Sequence, residues 1–478
     1  MKNFIFYFIL FFLVPNHLMF SQRDKDDIDP VFKSAFKKYE EKDYSGSYID
    51  YSNYLAKKPK DGAAFYNRGL CAYEMKDYKD GITNFTNSIV CGRIRADVFY
   101  SRGLCNYKLT HYELAIADFD TAISLLANYT KALTFKGACL NELKKYNEAL
   151  EILNQAVASD VNYETSYYYR AITRYYLKDY QNGIDDCNKS LNIKNYYEVY
   201  FWRGLHSLNL KKYQEAINDY DTVIAHNPKD AKAYYNRAIV YYDLKNYEKA
   251  LENNNKSIEI DPSKAEAYYN RALTKYELGR YKEAEPDFNA AIDLKLNSAN
   301  HYLWRGINYY YLKKNALALA DLTVAIQKDS QSENAFYYRA LLRYAQEDDK
   351  GVIEDCNSAL AIKKSSSIYY QRGISKYNIK DYQGAIDDFN ASLQLKPDYK
   401  LAVLERGITY YQTEKDAMAL ADLNKAIELD PKSSRAYYYR GKLKKYMNDL
   451  PGSCADLKQA QTLGNESATD ELFKNGCK

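Results

Sequence analysis

The chain repeats one motif every 33 or 34 residues. Each copy contains an arginine followed by glycine or alanine, a tyrosine, a short loop, and an alanine with an aromatic residue soon after it. The copy that starts at Tyr234 reads YYNRAIVYYDLKNYEKALENNNKSIEIDP. We number every copy so that the glycine or alanine after the arginine is position 8. This residue occurs thirteen times, at Ala35, Gly69, Gly103, Gly137, Ala171, Gly204, Ala238, Ala272, Gly306, Ala340, Gly373, Gly407 and Gly441.

Small residues recur at positions 8, 20 and 27, aromatic residues near 12 and 17, and proline at position 32, as at Pro228 and Pro262. This pattern resembles the tetratricopeptide repeat, over about nine tenths of the chain. The resemblance implies an all-α fold, a right-handed superhelical solenoid of about 13 helix-turn-helix repeats with a concave inner surface. The predicted boundaries are residues 28–464 for the repeat array and 465–478 for a C-terminal capping helix.

The N-terminus is predicted to direct export. Lys2 precedes an unbroken apolar run over residues 4–14, and a cleavage point follows Ser21, so residues 1–21 are predicted to be a signal peptide. The run is too short to span a bilayer, but Met19 is not the usual small residue before a cleavage point, which keeps an uncleaved anchor as the alternative. We expect the charged residues 22–28 to be disordered and the chain to be periplasmic or secreted.

Charge and residue pattern exclude two classes of function. The 67 basic and 63 acidic residues nearly balance, so the basic stripe that nucleic-acid binding requires is missing. The histidines beyond the N-terminal segment, His111, His206, His226 and His301, fall at different positions of different copies. No metal-site, nucleophile or phosphate-loop motif is present. We therefore expect no enzymatic activity, cofactor or metal, and no membrane span in the mature chain.

An arginine at position 7 and an aspartate at position 23 recur together. A charge at the helix interface needs a partner, because unpaired burial is prohibitive. We predict an Arg–Asp ladder, with pairing inside each repeat favoured over pairing with the preceding one. The predicted pairs are Arg102 with Asp118, Arg170 with Asp186, Arg203 with Asp219, Arg271 with Asp287, Arg305 with Asp321, Arg339 with Asp355, Arg372 with Asp388, Arg406 with Asp422, and Arg440 with Asp456.

Two steps of the array are shorter than the others. The steps from Ala171 to Gly204 and from Ala340 to Gly373 span 33 residues because the loop between units loses one residue. A shortened loop is expected to change the local stacking angle, and neutral loop drift is the alternative.

The eight cysteines raise the question of disulfides in an exported chain. Cys71, Cys105 and Cys139 occupy position 10 of successive copies, and helices packed about 8–10 Å apart hold equivalent residues too far apart for a disulfide. We expect these three to fill the core. Only Cys454 and Cys477 are candidates for a bond, which would join the last repeat to the capping helix.

The groove is the candidate functional surface. The family resemblance implies that positions 5, 9 and 12 of the first helix point into it, with Tyr66, Tyr100 and Tyr168 among the residues at position 5. Tyrosine suits peptide recognition because it gives a large contact area at low entropic cost. Packing is the alternative role for any single tyrosine. The candidates at position 12 are Tyr73, Tyr107, Tyr175, Tyr242, Tyr276, Tyr310, Tyr344, Tyr377 and Tyr411.

These observations predict a protein–protein interaction scaffold that binds peptide or protein segments in its groove, in an assembly of the cell envelope. The chaperone-tail clamp of the family is disfavoured because its lysine and asparagine are replaced by aromatic and aliphatic residues. The alternative is a carbohydrate- or cell-wall-binding module, because tyrosine rings also stack on sugars.

Overall fold

The computed structural model describes residues 29–477, which form 27 α-helices and no β-strand. The predicted signal peptide at 1–21 and the lead-in at 22–28 lie outside the described residues. Within the two units twelve helix pairs pack against each other, α1 with α2 through α11 with α12 and α15 with α16 through α25 with α26, as the all-α repeat prediction requires. The chain divides into two compact units, one ending at Leu244 and the other beginning at Lys245, and each is described by itself.

The first unit contains α1–α13, which are Pro30–Glu40, Tyr44–Lys57, Gly62–Glu74, Tyr78–Val90, Ala96–Lys108, Tyr112–Leu125, Thr130–Glu142, Tyr146–Ser159, Glu164–Tyr176, Tyr180–Ile193, Tyr197–Asn209, Tyr213–His226 and Ala231–Asp243. The second unit contains α14–α27, which are Tyr247–Ile260, Ala265–Glu277, Tyr281–Asp293, Ala299–Tyr311, Asn315–Lys328, Glu333–Tyr344, Asp349–Ile362, Ser366–Asn378, Tyr382–Leu395, Lys400–Gln412, Asp416–Leu429, Ser434–Tyr446, Leu450–Thr462 and Glu466–Lys474. Odd-numbered helices up to α25 are the first helices of their repeats.

A three-residue loop separates the two helices of a repeat. In the second repeat, Lys76 adopts a left-handed conformation with φ 65°. Its amide donates to the Tyr73 carbonyl at 2.9 Å, and the amide of Asp77 donates to the Ala72 carbonyl at 2.9 Å. These two bonds form a Schellman motif, which satisfies the last carbonyls of α3. The Asp77 carboxylate then caps α4 by accepting from the Asp80 amide.

The core depends on matched residue sizes at positions 8 and 24. A methyl group added to Gly103 would lie 2.7 Å from the ring of Phe119, so the glycine makes room for the aromatic ring. Where position 24 is a cysteine, at Cys187 and Cys356, position 8 is alanine. Both cysteines are buried and free, as are Cys71, Cys105 and Cys139.

Arginine at position 7 binds the aspartate at position 23 of its own repeat. Arg170 donates from Nε and Nη2 to the two carboxylate oxygens of Asp186 at 2.9 and 2.7 Å. All nine Arg–Asp pairs named above have their shortest N–O distance between 2.5 and 2.7 Å. The fork of the guanidinium matches the carboxylate, so each pair holds the two helices of one repeat in register.

The same arginines also reach the preceding repeat, through a residue that we did not anticipate. Nη1 of Arg170 donates to Oδ1 of Asn154, which lies at position 25 of the repeat before it, at 2.9 Å. Six further asparagines at position 25 accept the equivalent bond: Asn188, Asn255, Asn289, Asn357, Asn390 and Asn424. Asn188 and Asn357 do so across the two shortened loops, at 2.7 and 2.6 Å. One guanidinium therefore joins two repeats even where a residue is missing.

Two of the repeats that lack aspartate at position 23 use a carboxylate of the preceding repeat, whereas Arg68 of the second repeat donates to the amide of Asn84. Position 23 is Ile152 in the fourth repeat, and Lys136 binds instead to Asp120 at position 25 of the third repeat, at 2.6 Å. Arg237 likewise binds Asp221 at position 25 of the preceding repeat. In these two repeats the cation at position 7 therefore binds a carboxylate of the preceding repeat and not one of its own repeat.

Burial makes these pairs expensive to break. Asp186 and Asp219 are buried, and burial raises the pKa of each carboxyl above its ordinary value even though arginine counteracts the shift. A buried pair of this kind adds little net stability over an apolar pair, but an unpaired member is strongly destabilising. The ladder therefore specifies register more than it stabilises the fold.

We predict opposite results for single and paired replacement at this ladder. Arg203→Met leaves Asp219 buried without its cation and is expected to lower the free energy of unfolding by roughly 3 kcal/mol. Adding Asp219→Leu is expected to restore most of that loss. Urea denaturation followed by circular dichroism measures both. Arg280→Met, which removes the exposed pair with Glu248, is the control and is expected to change stability by less than about 1 kcal/mol. A double variant no more stable than Arg203→Met would contradict this interpretation.

His206 is buried at position 10 of the sixth repeat. Nε2 lies 3.1 Å from the carbonyl oxygen of Ala171 and therefore carries the proton, while Nδ1 has no hydrogen-bond partner. The ring occupies space left by Gly183, where an added methyl group would lie 2.1 Å from it. Burial lowers the pKa of His206 to about 4, with Arg174 acting in the same direction and Asp179 against it.

Stability should consequently fall in acid. A histidine whose pKa is lower in the folded state loses stability as the pH falls from about 6.5 to about 4, by about 3 kcal/mol when protonation is complete. His206→Leu is expected to remove this part of the pH dependence, measured as the free energy of unfolding between pH 7 and pH 4. His111→Gln, at an exposed position, is the control. Identical pH profiles for wild type and His206→Leu would refute the assignment.

The C-terminal helix α27 packs on α26 as the first helix of a repeat packs on the helix before it. Ala468 is buried, like the residue at position 3 of other repeats, whereas Phe473 at position 8 is 89% exposed. Cys477, just after α27, forms a disulfide with Cys454 in α26, with their Cα atoms 5.6 Å apart. This bond links α27 covalently to α26.

Reduction of the disulfide is expected to loosen α27 selectively. Closing a loop of this length stabilises by about 3 kcal/mol in the chain-entropy description. Cys477→Ser, or reduction of the wild type, should therefore accelerate amide hydrogen exchange in α26 and α27 and leave exchange in the first unit unchanged. Equal protection of α27 with and without the bond would show that it has no stabilising role.

Candidate functional site

Within each unit the first helices of successive repeats contact one another directly. Examples are α3 with α5 in the first unit and α17 with α19 in the second. Among the described residues, second helices contact first helices and not each other to any comparable extent. The first helices therefore share one continuous surface in each unit, which we call the first-helix face.

All nine position-12 tyrosines lie on first helices. Eight of them are half-buried, and Tyr344 is 40% exposed. The first-helix face of the second unit carries Tyr276, Tyr310, Tyr344, Tyr377 and Tyr411. These side chains are neither core residues nor free surface residues, which leaves part of each ring available.

Most position-12 tyrosines also pack against other aromatic rings inside the array. Tyr276 contacts Tyr281 at position 17 of its own repeat, with ring centroids 5.3 Å apart, and Trp304 at position 6 of the next repeat, also at 5.3 Å. The same contact with position 6 recurs between Tyr107 and Phe135, Tyr175 and Trp202, Tyr310 and Tyr338, and Tyr411 and Tyr439, at 5.4 to 5.9 Å. Packing is therefore one role of this row.

Position 6 was not identified from the sequence alone as part of the first-helix face. Both tryptophans of the chain, Trp202 and Trp304, occupy it. The placement of the two rarest large side chains at one repeat position was the available signal. Edge-to-face contacts from position 12 to position 6 run from one repeat to the next, and such pairs stabilise beyond their buried area.

In the first unit the tyrosines largely fill the face themselves. Tyr66 and Tyr100 at position 5 are buried against Phe85 and Phe119, so they serve the core. The hydroxyls of Tyr107 and Tyr169 lie 3.5 Å apart across two repeats. Burial raises the pKa of Tyr107 well above its ordinary value, so the phenol stays neutral.

Both units carry a stacked tyrosine pair, which in the first unit is Tyr146 with Tyr176. In the second unit Tyr281 and Tyr311 stack with ring centroids 4.8 Å apart and planes 13° from parallel, and Tyr311 is exposed. Trp304 is half-buried beside them. Burial and the neighbouring tyrosines raise the pKa of Tyr276, so this aromatic cluster carries no charge at neutral pH. It can offer flat apolar contact and phenolic hydrogen bonds.

The described residues show no group of histidine, cysteine or acidic side chains with metal-binding geometry. Within residues 29–477, no helix has the length and hydropathy needed to cross a membrane.

Four family models match parts of the sequence. Models described as tetratricopeptide repeat match residues 231–264, 265–298 and 370–434, and one described as TPR repeat matches residues 208–245. No curated protein matches the sequence significantly.

Several solved structures resemble parts of the chain. The Cut9–Hcn1 hetero-tetramer of the APC/C is 14% identical, covers 86% of this chain and 95% of its own, and has a TM-score of 0.45. A tetratricopeptide repeat protein from Parabacteroides merdae is 21% identical, with 52% and 98% covered and a TM-score of 0.40. Yeast Tom70 is 15% identical, with 88% and 96% covered and a TM-score of 0.34. Nothing about the function of this chain follows from these similarities.

The identity of the chain rests on the family models and the repeat itself. The matched ranges lie on both sides of residues 299–369, and the helix pairs, loops and Arg–Asp pairs continue unchanged between them. The chain is a tetratricopeptide repeat protein.

Proposed function

We propose that this protein is a non-enzymatic interaction scaffold that binds extended peptide or protein segments on its first-helix face. The observation that carries the proposal is the row of partly accessible tyrosines in the second unit, Tyr276, Tyr310, Tyr344, Tyr377 and Tyr411. Four of the rings, all except Tyr344, are held by aromatic neighbours in the array while part of each remains accessible.

Preorganisation is what makes this row suitable. A tyrosine already packed against Trp304 or Tyr338 loses little rotamer freedom when a ligand binds, so more of the contact energy appears as affinity. Aromatic side chains in partly desolvated surroundings are the usual anchors of protein interfaces. A long uncharged aromatic surface of this kind suits the side chains of an extended peptide.

The proposal also includes export to an oxidising compartment, where the protein is part of an assembly in the cell envelope. The leader-like residues 1–21 support it. The Cys454–Cys477 disulfide adds independent support, because such bonds persist in exported proteins and are rare in the cytosol.

A carbohydrate-binding module is the alternative function. The stacked, exposed pair Tyr281 and Tyr311 favours it, since flat aromatic faces also bind sugar rings. Recognition of sugars further requires several polar groups around the ring, and the aromatic cluster near Trp304 is mostly apolar. We therefore favour peptide binding.

The two functions can be separated by direct binding to a random-sequence peptide library and to a panel of glycans and cell-wall fragments. A Trp202→Phe background leaves Trp304 as the only tryptophan, so its fluorescence reports on the proposed face. We expect peptides to change Trp304 fluorescence, and Tyr310→Ala and Tyr344→Ala each to weaken peptide binding about tenfold, the effect of losing one interface anchor.

Met418→Ala, at an exposed position of the second helix α24, is the control and should bind like the parent protein. Glycan binding without peptide binding would transfer the proposal to the carbohydrate alternative. Peptide binding that Tyr310→Ala and Tyr344→Ala leave unchanged would place the binding site elsewhere.

A further inference from the structure

Position 6 carries no aromatic residue at two consecutive repeats of the second unit. Position 6 is Gln371 in the eleventh repeat and Glu405 in the twelfth, between the aromatic residues Tyr338 and Tyr439. The position-12 tyrosines Tyr344 and Tyr377 therefore have no aromatic ring ahead of them at position 6. Tyr344 is the most exposed of the nine position-12 tyrosines.

Beside Glu405 lies Arg435, an arginine whose hydrogen-bond donors are only partly occupied. Glu405 is 7% exposed and accepts from Nη1 and Nη2 of Arg435 at 2.6 and 3.1 Å. The Arg435 side chain nevertheless remains 53% exposed. A guanidinium has five N–H groups, so Arg435 retains donors for an acceptor that arrives from outside. The phenols of Tyr370, Tyr377 and Tyr439 surround it.

Gln371 supplies a second donor without a partner. The side chain is 7% exposed, and its Nε2 makes no hydrogen bond within the described residues. Leaving a buried amide donor unsatisfied is unfavourable, so a ligand oxygen that reaches it after a small rotamer change is stabilised. Both unused groups on this stretch of the face are thus hydrogen-bond donors.

Lys442 adds a positive charge that forms no salt bridge among the described residues. It occupies position 9, which is aliphatic in most other repeats, and its Nζ lies 5.7 Å from the ring of Tyr411 and 5.6 Å from that of Tyr438. Among the described residues, no carboxylate lies within 4.0 Å of it. The acidic residues nearest to Tyr438 are Glu471, which pairs with Lys474, and Asp470. Lys442 and Arg435 are seven residues apart on α25, which is two helical turns and the same side of the helix.

Resting on the proposed peptide-binding function, we infer that these residues form a subsite for an acidic segment of a partner protein. We call Tyr344, Gln371, Tyr377, Glu405, Arg435 and Lys442 the polar window. An aspartate or glutamate side chain of the segment accepts hydrogen bonds from Arg435 beside the charge of Lys442, and a neighbouring apolar side chain lies on Tyr344. The bound carboxylate pairs with the charge of Lys442.

Charge and spacing both favour this occupant. A neutral sugar would offer Lys442 no counter-charge, and a basic peptide would be repelled by it. Tyr344 and Lys442 lie three repeats apart, and first helices pack about 10 Å from one another, so the window spans roughly 30 Å. An extended peptide of about 9 residues covers that distance.

The test uses the full chain and two fluorescein-labelled, C-terminally amidated peptides of about 12 residues. One alternates glutamate with phenylalanine, and the other has glutamine in place of every glutamate. Fluorescence anisotropy is expected to show the glutamate peptide binding at least about tenfold more tightly, with a preference that decreases as salt is added. Amidation removes the terminal carboxylate, so only side-chain carboxylates are tested.

Two variants and one control identify the residues that cause the preference for the glutamate peptide. Lys442→Gln should weaken binding of the glutamate peptide severalfold and leave the glutamine peptide unchanged. Lys425→Gln makes the same charge change on the second helix α24 and should have no effect. Gln371→Tyr places an aromatic residue at position 6 and should cover Tyr344. This variant should reduce the preference for the glutamate peptide without lowering the temperature of thermal unfolding.

Equal affinity for the two peptides, unchanged in Lys442→Gln and Gln371→Tyr, would overturn the acidic subsite while leaving peptide binding intact. Binding of neither peptide would overturn the subsite together with the function on which it rests. The two failures are therefore distinguishable.

Discussion

The array depends on a partly buried arginine at position 7 that has three sets of contacts. Arg170, for example, binds the carboxylate of Asp186 in its own repeat and the amide of Asn154 in the preceding repeat, and it lies 5.5 Å from the ring of Tyr167. Because a guanidinium cannot be left unpaired in this environment, each repeat has one acceptable register against its neighbour. The position of every other side chain on the first helices follows from that register.

The tyrosines show how packing and binding can share residues. Tyr276 and Tyr310 contact aromatic residues at position 6 of the next repeat, which accounts for their recurrence without any ligand. The same contacts hold part of each ring at the surface in a defined orientation. Gln371 and Glu405 at position 6 mark a stretch of the second unit where the position-12 tyrosines lack this aromatic contact.

The regular features were predictable from the sequence because they repeat. The helix pairs follow from the spacing of position 8, and the partnership of positions 7 and 23 follows from the need to pair a charge at a helix interface. The asparagine at position 25 was overlooked because an uncharged side chain raises no such requirement. The exchange of partners at Lys136 and Arg237 was equally hidden, since it depends on Asp120 and Asp221 lying across a repeat boundary.

The sequence by itself determined the repeat, its helices and the residues that must pair, because those depend on local spacing and on the cost of burying charge. Only the tertiary structure decided which tyrosines remain accessible. Tyr310 and Tyr344 both occupy position 12, yet Tyr310 is half-buried and Tyr344 is 40% exposed. Tyr310 packs against the ring of Tyr338, whereas position 6 of the repeat after Tyr344 is Gln371. Exposure therefore depends on contacts between residues that are far apart in sequence.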